Sequence, residues 1–243
     1  MFDYPLIEGN NPFIFCSIGY VCAMHPAVLF DIDGTLVDSN YLHVHAWQRA
    51  FLEVGIPVDS WRIHRSIGMD GSTLVSTLSD GASDDVASTI KELHTRYYHE
   101  LTPLLRAFDG AREILEKVES LGMQTVLATS APEDELAQLR SVLDREDVIS
   151  AVTSSEDVST AKPEPRIVQI ALERAGVSPK RAVFVGDTVW DVEACNRAGL
   201  NCVGVLTGGV SRAELEDAGA IAVYTSVSEL CANFSSSPLA HLK

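Results

Sequence analysis

Short apolar runs, each broken off by a polar or turn residue, recur along this chain with helix-patterned stretches between them. They lie at residues 27–30, 123–128, 148–152, 182–185, 201–206 and 221–224. Runs this short suit strands buried on both faces, as in a parallel sheet. The intervening stretches place apolar residues at helical spacing. In 111–121, Ile114, Leu115, Val118 and Leu121 form one stripe, and Gly122 follows as a stop. In 133–143, Leu136, Leu139 and Leu143 share a face behind an acidic first turn. Helical patterns at 165–175 and 191–198 close on Gly176 and Gly199. Strands alternating with helices predict an α/β fold with a doubly wound parallel sheet.

Residues 40–108 break this rhythm. Tyr41, Val44, Trp47, Phe51 and Val54 run at helical spacing, 86–101 also reads as helix, and no strand signal lies between them. An all-helical block between the first and second strands is expected to be an inserted cap, 40–108, on a core made of 24–39 and 109–243. The stretch 13–24 is apolar but too short to span a bilayer. Asp3 and Glu8 precede it where a signal peptide carries positive charge. Residues 1–23 are therefore expected to lie outside the folded domain, with Met24 a candidate start. An extension packed on the surface is the alternative.

Charge and cysteine usage narrow the function. A formal net charge of -16 disfavours nucleic acid and anionic membrane as partners. It leaves room for a small anionic substrate, because one bound cation and one lysine can dominate the field inside a cleft. The five cysteines show irregular spacing and no CxxC pair, so neither a disulfide framework nor a zinc site is expected. A reducing, cytoplasmic compartment fits this usage.

Ligands of open parallel sheets bind at the carboxyl ends of the strands. There the first run ends in Asp31-Ile32-Asp33-Gly34-Thr35, the second in Thr129-Ser130, and the fourth in Gly186-Asp187 with Asp191 close behind. Lys162-Pro163 opens the helix before the fourth run. Carboxylates converging on one edge would repel one another unless a hard divalent cation sat among them. Magnesium, Mg2+, with its preference for oxygen ligands, fits better than zinc. Singly, each residue has an ordinary reading: Asp33 in a turn, Asp191 at a helix start, Lys162 solvated, Thr129 as a cap. Their joint occurrence at strand ends is what points to chemistry.

The stretch from Asp31 to Ser39, DIDGTLVDS, resembles the first motif of the haloacid dehalogenase superfamily. Thr129 is similar to the second motif, Lys162-Pro163 to the third, and Gly186-Asp187 with Asp191 to the fourth, in the family's order. The resemblance spans about residues 24–224 and implies a Rossmann-like core with a small helical cap after the first motif. It implies Asp31 as nucleophile, forming a phosphoaspartate, and Asp33 as general acid and then base. Thr129 and the Ser130 backbone would bind phosphoryl oxygens, and Lys162 would neutralise their charge. Asp31, Asp187 and Asp191 would hold magnesium, with the Asp33 main-chain carbonyl as a further ligand.

Dehalogenases of this superfamily lack the second acid, so Asp33 favours phosphate chemistry. Tyr41, His43 and Trp47 resemble a pattern of β-phosphoglucomutases, and His43 is expected either to reach the site and substrate when the cap closes or to be a packed or surface histidine. The segments Ala131-Pro132-Glu133 and Ile67-Gly68-Met69-Asp70-Gly71 lack the basic groups with which such mutases grip a sugar phosphate, leaving Arg65 either as a substitute that binds substrate or as a residue facing water or the cap edge. The expected substrate is a small phosphomonoester, phosphoglycolate-like or a sugar phosphate, read by the cap loop 64–72. A mutase, and a non-catalytic phosphate-binding module, are the alternatives.

Overall fold

The computed structural model describes residues 25–157 and 162–242. The expectations for 1–23, for Met24 as a start, and for Cys16 and Cys22 lie outside the described residues. Six strands form one parallel sheet: β1 Ala27–Phe30, β2 Gln124–Ala128, β3 Ala151–Thr153, β4 Ala182–Gly186, β5 Asn201–Val205 and β6 Ala222–Tyr224. Their order is β3-β2-β1-β4-β5-β6. The chain winds outward in both directions from β1, so the order reverses between β1 and β4, where a crevice opens at the carboxyl ends.

Alternation along the strands feeds two apolar layers. Val28, Phe30, Val183 and Val185 face one side, against helices α5 (Ala111–Ser120), α6 (Glu133–Leu143) and α10 (Val227–Ala232). Ala27, Leu29, Ala182 and Phe184 face the other, against α7 (Arg166–Ala175), α8 (Val189–Ala198) and α9 (Arg212–Ala218). Both faces of the sheet are thereby covered, as a parallel sheet requires.

Between β1 and β2 lie α1 (Asn40–Glu53), α2 (Ser60–Ser66), α3 (Gly71–Leu78) and α4 (Asp84–Leu101), gathered around their own cluster that includes Trp47, Phe51, Ile63, Leu74, Ile90 and Tyr98. The two chain segments joining this block to the sheet run side by side. Asp38 N–H donates to the Arg106 carbonyl at 2.9 Å, Phe108 N–H to that of Leu36 at 2.9 Å, and Arg106 pairs with Asp38.

Two details differ from the sequence reading. Only two cap helices were legible; α2 and α3, of 7 and 8 residues, are too short to show a periodic stripe. The third strand starts later than expected. Val148 is buried from a 3-10 turn, Glu146–Val148, and the strand itself is Ala151–Thr153.

Phe51 is fully buried in the cap cluster. Phe51→Ala is expected to cost about 3–5 kcal/mol, the range for deleting a buried aromatic ring, measured by urea denaturation. A loss below about 1 kcal/mol would show that the cap cluster is loosely packed.

Candidate active site

The end of β1 builds the first part of the site. Asp31 N–H donates to the Val185 carbonyl at 2.9 Å, continuing the pairing with β4 by one residue. The chain then turns back: the Leu36 and Val37 amides both donate to the Ile32 carbonyl at 2.9 Å. Gly34 makes this turn possible, with φ of 73° and no space for a β-carbon, which would run into the side chains of Asn40 and Asp187. The turn sends Asp31 and Asp33 in different directions.

Asp31 points at Lys162. The lysine Nζ lies 2.6 Å from Asp31 Oδ1 and 2.7 Å from Asp191 Oδ1, and all three residues are buried. Asp191 sits in the first turn of α8, where its Oδ2 accepts from Thr188 N–H at 3.0 Å and Thr188 Oγ1 at 2.7 Å in a capping box. One carboxylate thus starts a helix and balances the lysine. Asp187 is clamped from the β1 side, accepting from Thr35 Oγ1 at 2.8 Å and Asn40 Nδ2 at 2.9 Å. Gly208 lies so close to Asp187 that any side chain there would collide with the carboxylate.

Asp31, Asp187 and Asp191 each offer an oxygen within 4.8 Å of the others. Burial, opposed by Lys162 and reinforced by Asp191 and Asp33, raises the Asp31 carboxyl from 3.8 to about 7. Asp187 is pushed well above its ordinary range by burial and by the neighbouring Asp191 and Asp31. For Lys162 burial works against the charge, but Asp191 and Asp31 outweigh it and raise its pKa. Three carboxylates against one lysine leave negative charge that a hard cation would relieve. The all-oxygen donor set fits such an ion.

Asp33 belongs to a separate group. It accepts from Ser39 Oγ at 2.6 Å and faces His43 Nε2 at 3.5 Å, so its carboxylate lies outside the trio. The expected place of Asp33 in a metal set therefore rests on its main-chain carbonyl alone. Burial pushes Asp33 up, but the hydrogen bonds and charge of His43 and the Ser39 bond bring it below its ordinary value. Burial lowers His43 in turn, and Asp33 more than restores it, so the imidazole is raised.

Thr129, buried at the end of β2, accepts from Ala131 N–H at 3.0 Å through Oγ1, and Ser130 lies beside it on the wall of a cavity of about 520 Å³. The core side of this cavity carries Asp31, Asp33, Lys162 and Asp191; the cap side carries His43, Trp47, Met69, Lys91 and His94. Residues 67–72 of the expected reading loop line it, whereas His64 turns away and its Nε2 meets the Gly208 carbonyl at 2.8 Å. Arg65 requires a correction. Its guanidinium pairs with Glu214 on α9 and does not line the cavity, because the last turn of α2 faces the core's outer edge.

Thr35, Asn40, His94 and Glu135 were not singled out from sequence. Asn40 and Glu135 sit in first helical turns, where polar residues are ordinarily solvated, yet both are buried here. Burial raises the Glu135 carboxyl.

A profile described as haloacid dehalogenase-like hydrolase matches residues 28–205. The chain belongs to this family. It is 30% identical over 200 residues to the phosphorylated carbohydrates phosphatase of Thermotoga maritima, covering 81% of this chain and 93% of that protein. It is 30% identical over 188 residues to the phosphoglycolate phosphatase of Pseudomonas putida, covering 74% and 69%. Among solved structures, a hydrolase from Pseudomonas syringae superposes with a TM-score of 0.83 at 34% identity, covering 87% of this chain and 99% of that one. Among the described residues of this haloacid dehalogenase-like hydrolase, no helix is long and apolar enough to cross a membrane.

The Asp33–His43 pair predicts a pH signature in stability. Asp33, held below 3.8, stabilises the fold above that pH and loses this as pH falls through its folded value. His43, held above 6.5, stabilises below that pH and loses this as pH rises through its folded value. The melting-temperature advantage of wild type over His43→Gln is therefore expected to be flat between 3.8 and 6.5 and to shrink on both sides. A difference independent of pH would contradict the pairing.

Proposed function

We propose that this chain is a magnesium-dependent phosphomonoester hydrolase that works through a phosphoaspartate on Asp31. The observation that carries the reading is the division of labour at the end of β1. One carboxylate, Asp31, is buried against Lys162 at 2.6 Å, and a second, Asp33, is held apart by Ser39 and His43 in the same cavity. A nucleophile and a proton-transfer group in one cavity suit an ester whose leaving oxygen needs a proton, which a halide does not.

Asp31 attacks phosphorus and must be ionised to do so, which a raised carboxyl resists. Magnesium, when bound by Asp31, Asp187 and Asp191, supplies positive charge that neutralises these carboxylates and the phosphoryl oxygens. Lys162 contributes further positive charge, the electrostatic stabilisation on which phosphoryl transfer depends. Thr129 and the Ser130 backbone are the hydrogen-bonding groups for the remaining phosphoryl oxygens. The Asp33–His43 pair holds the transferable proton: Asp33 delivers it to the leaving oxygen, then takes one from the water that hydrolyses the phosphoaspartate. Thr35, Asn40 and Gly208 keep Asp187 from rotating.

The substrate is a small phosphorylated metabolite, in line with the names of the phosphatases to which the chain is similar. Engagement of Arg65 by Glu214 supports hydrolysis over phosphosugar mutation, since Lys91 and Lys162 are then the lysines and arginines that line the described cavity. Cys195, Cys202 and Cys231 are free thiols, which suits a reducing, cytoplasmic setting.

The test is phosphate release from a panel of phosphomonoesters including phosphoglycolate, hexose phosphates and nucleoside monophosphates. Wild type is expected to release phosphate with magnesium and to stop with chelator. Asp31→Asn, nearly isosteric, is expected to lose more than about a thousandfold in rate with an unchanged circular dichroism spectrum. Turnover that survives chelation, or survives in Asp31→Asn, would sink the reading.

A further inference from the structure

Four rings stack in a column through the cap. Trp47 and His94 lie 3.8 Å apart between centroids, His94 and His43 5.3 Å, and His43 and Tyr98 4.0 Å. Two of the four are histidines, on α1 and α4, and they do more than stack. Their planes differ by 16° and their edges meet, with His43 Nδ1 3.1 Å from His94 Nε2. The other nitrogen of His43, Nε2, is the atom that faces Asp33 Oδ1 at 3.5 Å. A continuous line of polar atoms therefore runs from helix α4, through His43, to the carboxylate at the end of β1.

The aim of the His43 ring follows from chemistry. Two ring nitrogens 3.1 Å apart need one proton between them. His94 is buried against Trp47, and burial together with the neighbouring His43 and His99 keeps it neutral. A neutral His94 carries a single N–H. With that proton on Nδ1, its Nε2 accepts from the Nδ1–H of a doubly protonated His43, whose Nε2–H still points at Asp33. In the reverse arrangement His94 Nε2–H donates to a bare His43 Nδ1, and the one proton of a neutral His43 then sits on Nε2, so either direction leaves Nε2–H facing the carboxylate.

We infer that His94 is a positioning residue for proton transfer: its Nε2 holds the His43 ring so that His43 Nε2–H is aimed at Asp33. This rests on the reading of Asp33 as the general acid. It adds that the acid's orientation is set by a buried histidine of the cap that reaches Asp33 through His43. Aromatic packing alone, the plain alternative, would need only a flat ring at position 94.

The variants separate these cases. His94→Phe keeps the ring in the column and removes the hydrogen-bonding nitrogen, while His94→Gln places an amide group near the lost Nε2. Both are compared with wild type and Asp33→Asn by kcat/KM, which reports the step that expels the leaving group. The substrates are the best alkyl phosphate of the panel, whose alkoxide needs a proton, and p-nitrophenyl phosphate, whose leaving group does not. His94→Phe is expected to lose about 10–100-fold on the alkyl ester, less than the full effect of a general acid, and far less on p-nitrophenyl phosphate. His94→Gln is expected to recover most of the loss. Equal losses on both esters without recovery in His94→Gln would reduce His94 to packing. If Asp33→Asn slows the alkyl ester and His94→Phe does not, the inference falls while the role of Asp33 stands. If Asp33→Asn spares the alkyl ester, the functional reading itself has failed. Ring-nitrogen NMR on the wild-type protein is independent of turnover. It is expected to show a proton on His43 Nε2 and one between His43 Nδ1 and His94 Nε2, and a bare His43 Nε2 would overturn the inference.

Discussion

A lysine with almost no access to solvent sits between two carboxylates, and the rest of the site is arranged around keeping it there. Burying an ammonium group is costly unless paired charges and hydrogen bonds replace its water. Asp31 and Asp191, at 2.6 and 2.7 Å, do so for Lys162. Those partners come from the end of β1 and the start of α8, so two ion pairs on one lysine tie together three segments remote in sequence. The pairing is lopsided, because Asp187 lies in the same cluster and no second lysine faces it among the described residues. The fold therefore creates a need for positive charge at the spot where a phosphoryl group and its metal would bring charges of both signs.

Several side chains serve structure and site at once. Asp191 caps α8 with one oxygen and faces Lys162 with the other. Asn40 opens α1 of the cap and clamps Asp187 of the core. Gly34 permits the turn that separates Asp31 from Asp33 while leaving space for Asn40 and Asp187. Through such residues the position of the cap helices is registered against the carboxylates.

Much of this was legible in the sequence, for a physical reason. A polar residue directly after a short apolar run lies at a strand end, so Asp31, Asp187, Thr129 and their companions could be assigned to one edge of the sheet before any coordinates. The two apolar layers followed from the same runs. What resisted reading depends on how helices are phased against the core. Arg65 lies in a seven-residue helix, and nothing in its neighbours revealed that it would face Glu214 and not the cavity. His94 occupies a position of α4 that looks like an ordinary core-facing slot, and its contact with His43 exists only because α1 and α4 pack side by side. Val148 seemed to belong to a strand because a buried 3-10 turn and a strand end bury the same residue types.

The central claim is that phosphorus becomes bonded to Asp31 during turnover. Acid quench of the working enzyme, followed by borohydride, converts an aspartyl phosphate to homoserine, which peptide mass spectrometry can locate. The account predicts homoserine at position 31, dependent on substrate and magnesium. Turnover with an unmodified Asp31, or with the label on another residue, would contradict it.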